Sequence, residues 1–247
     1  MNIRFDGRVV VVSGAGHGLG RAIAHSFADL GATVHICDTN AANLAETAKG
    51  RAIHTSVVDL TDRAAGAAWI AGIAGPIDVL VNNAGGVAGQ TPHPLEEISD
   101  EDWDRIFAVN VNAAMSLCRA VAPRMKAAGS GRIINISSGA GLQASLTGIQ
   151  AYCSTKHAVV GLTRQLAHEF GPFGITVNSV APGFIRSNPA TELQWESYGA
   201  EGQAALVQRI ALKKLGTAAD IANGVIFFAS ELAAFVNGQI LSVDGGR

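Results

Sequence analysis

The sequence carries little charge: Asp, Glu, Lys and Arg make up 15% of its 247 residues, against about 25% in an average soluble domain. No basic run occurs, and the formal net charge of −2 comes from interspersed residues. That excludes the electrostatic footprint of a nucleic-acid binder. Cysteine is scarce too. Cys37, Cys118 and Cys153 are odd in number and form no C-x-x-C pair, so free thiols in a reducing, cytoplasmic setting are expected rather than a disulfide framework. The seven His show no H-E-x-x-H or Cys-clustered spacing, so no metal is indicated, and without a G-x-S-x-G elbow a Ser–His nucleophile is unsupported. Long apolar runs are missing as well. The opening MNIRFDGRVVVVSG holds no secretion-signal core, and IANGVIFFASELAAFV is broken by Asn223, Gly224, Ser230 and Glu231, short of the roughly 20 residues that span a bilayer. No repeat, linker or low-complexity segment divides the chain, so residues 1–247 are expected to form a single domain.

What is abundant is apolar residue, 48% of the total. With so little charge, this predicts a large core and buried contact between subunits, hence a homo-oligomer. Runs rich in β-branched residues recur as RVVVVS, ATVHIC, RAIHTSV, IDVLVN, RIINIS, ITVNSVA and QILSV. Most are apolar nearly throughout, the pattern of strands covered on both faces in a parallel sheet. Helical spacing fills the intervals, in Leu19, Ile23, Phe27 and Leu30 and in the longer WDRIFAVNVNAAMSLCRAVAPRM and YCSTKHAVVGLTRQLAHEF. The alternation predicts an α/β fold: a doubly wound parallel sheet of seven strands with helices on both faces. One stretch breaks the rhythm. Residues 184 to about 212 show no strand pattern, with helical turns expected only near the end, yet carry Phe184, Trp195 and Tyr198. A functional lid over a substrate is the expectation there.

Directly after the first strand stands SGAGHGLG, Ser13 to Gly20. Glycine at this density suits a backbone that turns sharply, approaches a bulky anion and lays a helix N-terminus against it. The spacing is Gly14-xxx-Gly18-x-Gly20, with Leu19 where a strict G-x-G-x-x-G would place its last Gly. The second strand ends at Asp38, placed to accept hydrogen bonds from a ribose and to repel a 2′-phosphate. Thr39, Asn40 and Ala41 follow without a basic residue. NAD is therefore expected over NADP.

In YCSTK, Tyr152 and Lys156 lie four residues apart ahead of an apolar helical run, so both polar tips share one helix face. Alone the pair is an ordinary coincidence. Taken with SGAGHGLG, NNAG at 82–85, NISS at 135–138 and APG at 181–183, it resembles the short-chain dehydrogenase/reductase family over nearly the whole chain. That resemblance implies a Rossmann-type sheet and hydride transfer between a nicotinamide cofactor and a secondary alcohol or ketone. Tyr152 is then the acid/base, with Lys156 favouring its phenolate and holding the cofactor ribose. Ser138, in preference to Ser137, binds the substrate oxygen, and Asn110, in preference to Asn112, anchors a water relay. For the cofactor it implies Ser13, Gly14, Gly18, Leu19 and Gly20 at the cradle, Asp59 at the adenine, Asn83, Ala84 and Gly85 beside the ribose, and Gly183, Ile185 and Ser187 towards the nicotinamide. His17 sits where NADP-using members often carry a basic residue. A homotetramer is the family's common assembly. Candidate substrate residues are Gln143, Ser145, Gln90 and His93 for a polar pocket, and Phe184, Trp195 and Tyr198 for an apolar one. The rival readings are an NADPH-dependent 3-oxoacyl-thioester reductase and a non-catalytic dinucleotide-binding protein.

Overall fold

The computed structural model describes residues 3–145 and 147–247. The seven apolar runs form β1 (Val9–Ser13), β2 (Thr33–Asp38), β3 (Ile53–Val57), β4 (Val79–Asn82), β5 (Gly131–Ile136), β6 (Ile175–Pro182) and β7 (Ile240–Val243). They make one parallel sheet in the order β3-β2-β1-β4-β5-β6-β7. The order reverses at β1, which lies between β2 and β4, and that is where an open α/β sheet leaves a crevice beyond its strand ends.

Side-chain alternation along the strands feeds two cores. Val10 and Val12 pack with Ile23 and Phe27 of α1 (Gly18–Asp29) and with Ile221 and Val225 of the helix at Ala218–Ala229. Val11, Leu80 and Ile133 point the other way, onto Ile70, Leu117 and Val121 from α3 (Arg63–Gly72) and α5 (Ala113–Ala128). Between α1 and α3 stands α2 (Ala41–Ala48), capped by Asn40. Such continuously apolar strands are stable only when both faces are covered, and both are.

Two helical features position polar groups. Asp100–Ala128 is one continuous helical run, long and apolar enough by length and composition to cross a bilayer. It packs instead against α3 and α6 (Gln150–Phe170), with half of its most apolar window buried, so it works as a core helix. Within it, between α4 (Asp100–Phe107) and α5, residues Ala108–Asn112 form a π turn that carries Asn110. Helix α6 turns Ala151, Thr155, Val159, Thr163 and Ala167 inward at every fourth position. From there Thr163 Oγ1 accepts from Asn135 Nδ2 at 2.9 Å, and Asn135 Oδ1 accepts from Asn82 Nδ2 at 2.8 Å. This buried chain ties β4, β5 and α6 together.

The stretch 184–212 differs from expectation. It holds α7 (Pro189–Ser197) and α8 (Gly199–Arg209), helical from near its start. Asn188 accepts from Thr191 N and Thr191 Oγ1 accepts from Asn188 N, a reciprocal cap around Pro189 that starts α7 abruptly. The last helix, Ala218–Ala229, is α9.

Because the Asn82–Asn135–Thr163 chain is fully buried, Thr163→Val is expected to leave the Asn135 amide without its acceptor. Destabilisation by about 1–3 kcal/mol should follow, measured by denaturant titration. A change within experimental error would show that the chain adds nothing to stability.

Candidate active site

Above the C-terminal ends of β1, β4, β5 and β6 opens a cleft of about 930 Å³. Its first wall is the glycine loop. Gly14 has φ +62°, and a Cβ there would lie 2.7 Å from the Ala84 Cα, so only glycine lets the β1 and β4 loops touch. Ser13 is buried beneath them, its Oγ accepting from Asn83 N and Ala84 N at 3.1 Å each. Helix α1 starts at Gly18 behind His17, which makes no side-chain cap bond, and its first turn holds no acid. The first N–H groups are thus left for another acceptor, and Leu19 and Gly20 line the cleft. Arg21 secures the loop from behind, with Nη2 on Gly16 O at 2.6 Å and Nε on Thr47 Oγ1 at 2.9 Å.

Asp38 stands at the rim. Its Oδ2 accepts from Gly16 N at 3.0 Å and its Oδ1 from Asn40 N at 3.1 Å, so two backbone donors fix the carboxylate against the loop. Asp59 lines the same end, with Thr61 N and Oγ1 both on its Oδ1.

At the centre are the α6 residues. Lys156 is 5% exposed, and its Nζ donates to Ile136 O at 3.0 Å and lies 5.6 Å from the Tyr152 ring centroid. Burial pushes its pKa down to about 8. Tyr152 opens one edge to the cleft, but enclosure of the phenol pushes its pKa above the ordinary value, with hydrogen bonding to Ser138 pulling it partly back and Cys153 adding to the rise. Desolvation is the largest cause of that net rise, and the expected pull of the Lys156 charge towards phenolate is a separate contribution. Burial likewise disfavours the charged form of the Lys156 ammonium.

The two serine alternatives separate. Ser137 is buried, donating to Val180 O and accepting from Ser179 Oγ at 3.0 Å, whereas Ser138 caps the turn at Gly139–Gly141 and neighbours Tyr152. Asn110 is 2% exposed, and its amide meets Gly86 N at 3.0 Å, Gly86 O at 2.8 Å and Ile106 O at 3.0 Å. Asn112 is only partly buried.

Of the other sequence candidates, Gly14, Asn83, Ala84, Gly85, Gly183, Ile185, Ser187, Gln90, Gln143, Ser145, Phe184 and Tyr198 line the cleft. Ser13 and Asn110 hold its loops from beneath, and Gly18 stands beside Ser187. His93 and Trp195 are not on its surface. His93 is exposed beside Glu97, and the half-buried Trp195 stacks on Phe184 at 6.0 Å, with Arg186 on it at 5.3 Å. Sequence reading missed Val58 and Leu60 around Asp59, Gln194 and Ser197 from α7, and Arg247. The α7 residues had a signal in the Asn188-Pro189-x-Thr191 cap. Arg247 had none.

Residues 14–247 match the family described as Enoyl-(Acyl carrier protein) reductase. A D-threitol dehydrogenase of Mycolicibacterium smegmatis is 37% identical over 99% of this chain and 94% of its own. A Beutenbergia cavernae structure described as a candidate NAD(P)-dependent gluconate 5-dehydrogenase, with NADP bound at low occupancy, superposes with TM-score 0.88 at 38% identity, covering 99% of this chain and 98% of its own. A Brucella melitensis 3-oxoacyl-[acyl-carrier protein] reductase with bound NAD gives TM-score 0.88 at 34% identity over 99% and 93%.

The buried lysine has a measurable signature. Its folded pKa of about 8 lies below the ordinary lysine value of 10.5, so the unfolded chain holds the proton more tightly, and charging the lysine costs stability that is lost as pH falls from about 10.5 to about 8. Buried Cys37 and Cys118, raised to about 12, act in the opposite sense, so the comparison with a variant is the readout. Relative to Lys156→Met, the wild type should gain on the order of 3 kcal/mol or less between about pH 8 and 10.5, by denaturant titration. Parallel profiles for the two proteins would show that the lysine is not desolvated.

Proposed function

Because the chain belongs to the short-chain dehydrogenase/reductase family, we propose that it is a nicotinamide-dependent oxidoreductase that interconverts a small secondary alcohol and its ketone with Tyr152 as acid/base. The observation that carries this reading is the meeting of Ser138, Tyr152 and Lys156 in the same cleft as the glycine loop and Asp38. The cleft suits a dinucleotide: an uncapped helix N-terminus awaits an anion, and Gly14 closes the β1 and β4 loops with no side chain between them. Leu19 and Gly20 N–H groups would hold the pyrophosphate, Asp38 the adenosine ribose, Asp59 the adenine, and Asn83, Ala84, Gly85 and Lys156 the second ribose. Gly183, Ile185 and Ser187 would flank the nicotinamide end. Bound there, the cofactor supplies the acceptor for the hydride, and with it two electrons, in alcohol oxidation, or its donor in the reverse direction.

The protein's own share is the proton. As the alcohol C–H bond breaks and the carbonyl forms, the O–H proton passes to the Tyr152 oxygen while Ser138 holds the substrate oxygen in place. Lys156, one helical turn away, stabilises the phenolate while it carries its charge. Asn110 holds the 85–86 turn beside Lys156, from which a proton path leads outward. D-threitol and gluconate, the compounds named for two relatives, support a small polar alcohol as substrate. The Brucella likeness favours the second reading, a 3-oxoacyl-thioester reductase, while the fixed carboxylate of Asp38 speaks for NAD and against an NADPH-linked enzyme. The same reading takes residues 1–247 as one domain and 184–212, with α7 and α8, as a lid that excludes water on closing. It also takes the assembly as a cytoplasmic homotetramer, supported by the low charge and the apolar helices around Asn110 and Tyr152.

Tyr152→Phe keeps the ring and removes the exchangeable proton, so NADH binding should persist while turnover falls about 10²- to 10⁴-fold. Steady-state rates and fluorescence titration of NADH measure the two, and near-normal turnover would remove Tyr152 from the role. Asp38→Ala should narrow the ratio of kcat/KM for NAD over NADP by about tenfold or more, since it deletes an acceptor for the ribose and a charge repelling the phosphate. A wild-type protein that already prefers NADP would overturn this assignment.

A further inference from the structure

The choice of cofactor turns on Asp38, yet part of what aims Asp38 lies behind the cleft. Its Oδ2 accepts from Gly16 N at 3.0 Å. That N–H is one end of the planar Ala15–Gly16 peptide, whose other end, Ala15 O, points the opposite way. Thr47, fully buried near the end of α2, meets it there: its Oγ1 lies 2.9 Å from Ala15 O, 3.0 Å from Asn43 O and 3.1 Å from Gly16 O. A hydroxyl has one proton to give. Gly16 O already takes Arg21 Nη2 at 2.6 Å, and Asn43 O lies inside α2, where the helix ladder serves it. Ala15 is fully buried, and its carbonyl has no other donor among the described residues. The Thr47 proton therefore belongs on Ala15 O.

Arg21 sets which way that hydroxyl faces. Its Nε donates to Thr47 Oγ1 at 2.9 Å and its Nη2 to Gly16 O, with a longer contact to Asn43 O at 3.4 Å. The bonds run in one direction, from guanidinium to hydroxyl to peptide to carboxylate, so each group polarises the next. The Thr47 backbone is held separately, by His25 Nε2 on Thr47 O at 2.8 Å. Neither Arg21 nor Thr47 lines the cleft.

From this chain of bonds we infer that Arg21 and Thr47 are positioning residues for cofactor choice. They lock the Ala15–Gly16 peptide with its N–H on Asp38 Oδ2, and so hold the carboxylate where an adenosine ribose is accepted and a 2′-phosphate repelled. The inference rests on the nicotinamide reading above and on the place it gives Asp38, and adds two residues that touch no ligand. Their effect is bounded, because Asn40 N, 3.1 Å from Asp38 Oδ1, is a second anchor outside the loop.

Fluorescence titration of NADH and of NADPH reads cofactor choice without turnover. The ratio of NADH to NADPH affinity is expected to fall about 3- to 10-fold in Thr47→Val and in Arg21→Met. Thr47→Ser restores the hydroxyl and should stay within about twofold of the wild type. In the Asp38→Ala background, Thr47→Val should move the ratio by no more than about twofold, since a residue that acts through the carboxylate has nothing left to act through. If Thr47→Val does not fold, Arg21→Met, at a half-buried position, decides the matter alone and in the same background. A merely structural role would weaken both cofactors together. An unmoved ratio in the single variants, or a full effect that persists without Asp38, would overturn the inference and leave the dehydrogenase reading standing. A wild type that binds NADPH as tightly as NADH, or a ratio that Asp38→Ala leaves unchanged, would overturn the ribose assignment of Asp38 and this inference with it.

Discussion

The enclosure of the Lys156 amine is the constraint on which the centre of the molecule is arranged. An ammonium taken from water loses several kcal/mol of solvation unless polar groups replace it. Here Ile136 O, at the last residue of β5, is the acceptor. For the lysine to reach it, α6 must lie close on the strand end, and Gly141 allows that approach: a Cβ at Gly141 would stand 2.6 Å from Lys156 O. Gly85 does the same from the β4 side. It has φ +149°, and a Cβ there would press on the Asn110 amide and lie 3.6 Å from Lys156 Nζ. Two glycines and a π turn thus converge on one amine.

The second end of the cleft is arranged around backbone donors. Asp38 keeps its carboxylate at the rim because two backbone N–H groups already face it, from Gly16 and Asn40. Gly16 has no room for a side chain, since a Cβ would lie 2.8 Å from the carboxylate carbon. Arg21 and Thr47 hold that loop without entering the cleft. The strand-order reversal at β1 connects the two ends. Ser13, at the tip of β1, accepts from Asn83 and Ala84 beyond the tip of β4, so displacement of one loop moves both.

How much of this was legible in the sequence depended on whether the signal was local. Strands buried on both faces declare themselves as unbroken apolar runs, and all seven appear where RVVVVS through QILSV placed them. The glycine loop and the Tyr152–Lys156 spacing are likewise short-range patterns whose geometry follows from the helix and the turn. The chain Asn82–Asn135–Thr163 was not legible, because polar residues at strand ends look like boundaries until β4, β5 and α6 are in contact. Helices α7 and α8 were underestimated for the opposite reason. Their apolar pattern is weak and only Leu206 is buried, so the cap at Asn188 and Thr191 was the readable feature. Trp195 was legible as a large aromatic of this stretch, but its stack with Phe184 and Arg186 was not, since these three side chains meet only once the chain has turned into α7.

The pKa directions add a consequence that no motif contains. Burial drives Lys156 down and Tyr152 up, so both groups move towards their neutral forms. A neutral phenol beside a partly neutral amine is the state that a desolvated pocket favours. It is a poor base for removing a proton from an alcohol, since even an unperturbed phenol titrates near ~10. Positive charge beside the phenol favours its ionised form, and Gly183 and Ile185 line the same cleft as Tyr152 and Lys156. An oxidised nicotinamide ring is a cation, so on the proposed reading, with that ring at Gly183 and Ile185, the cofactor would both supply the electron acceptor and lower the cost of ionising Tyr152. On that reading, burial of the pair would link proton removal to the presence of the acceptor.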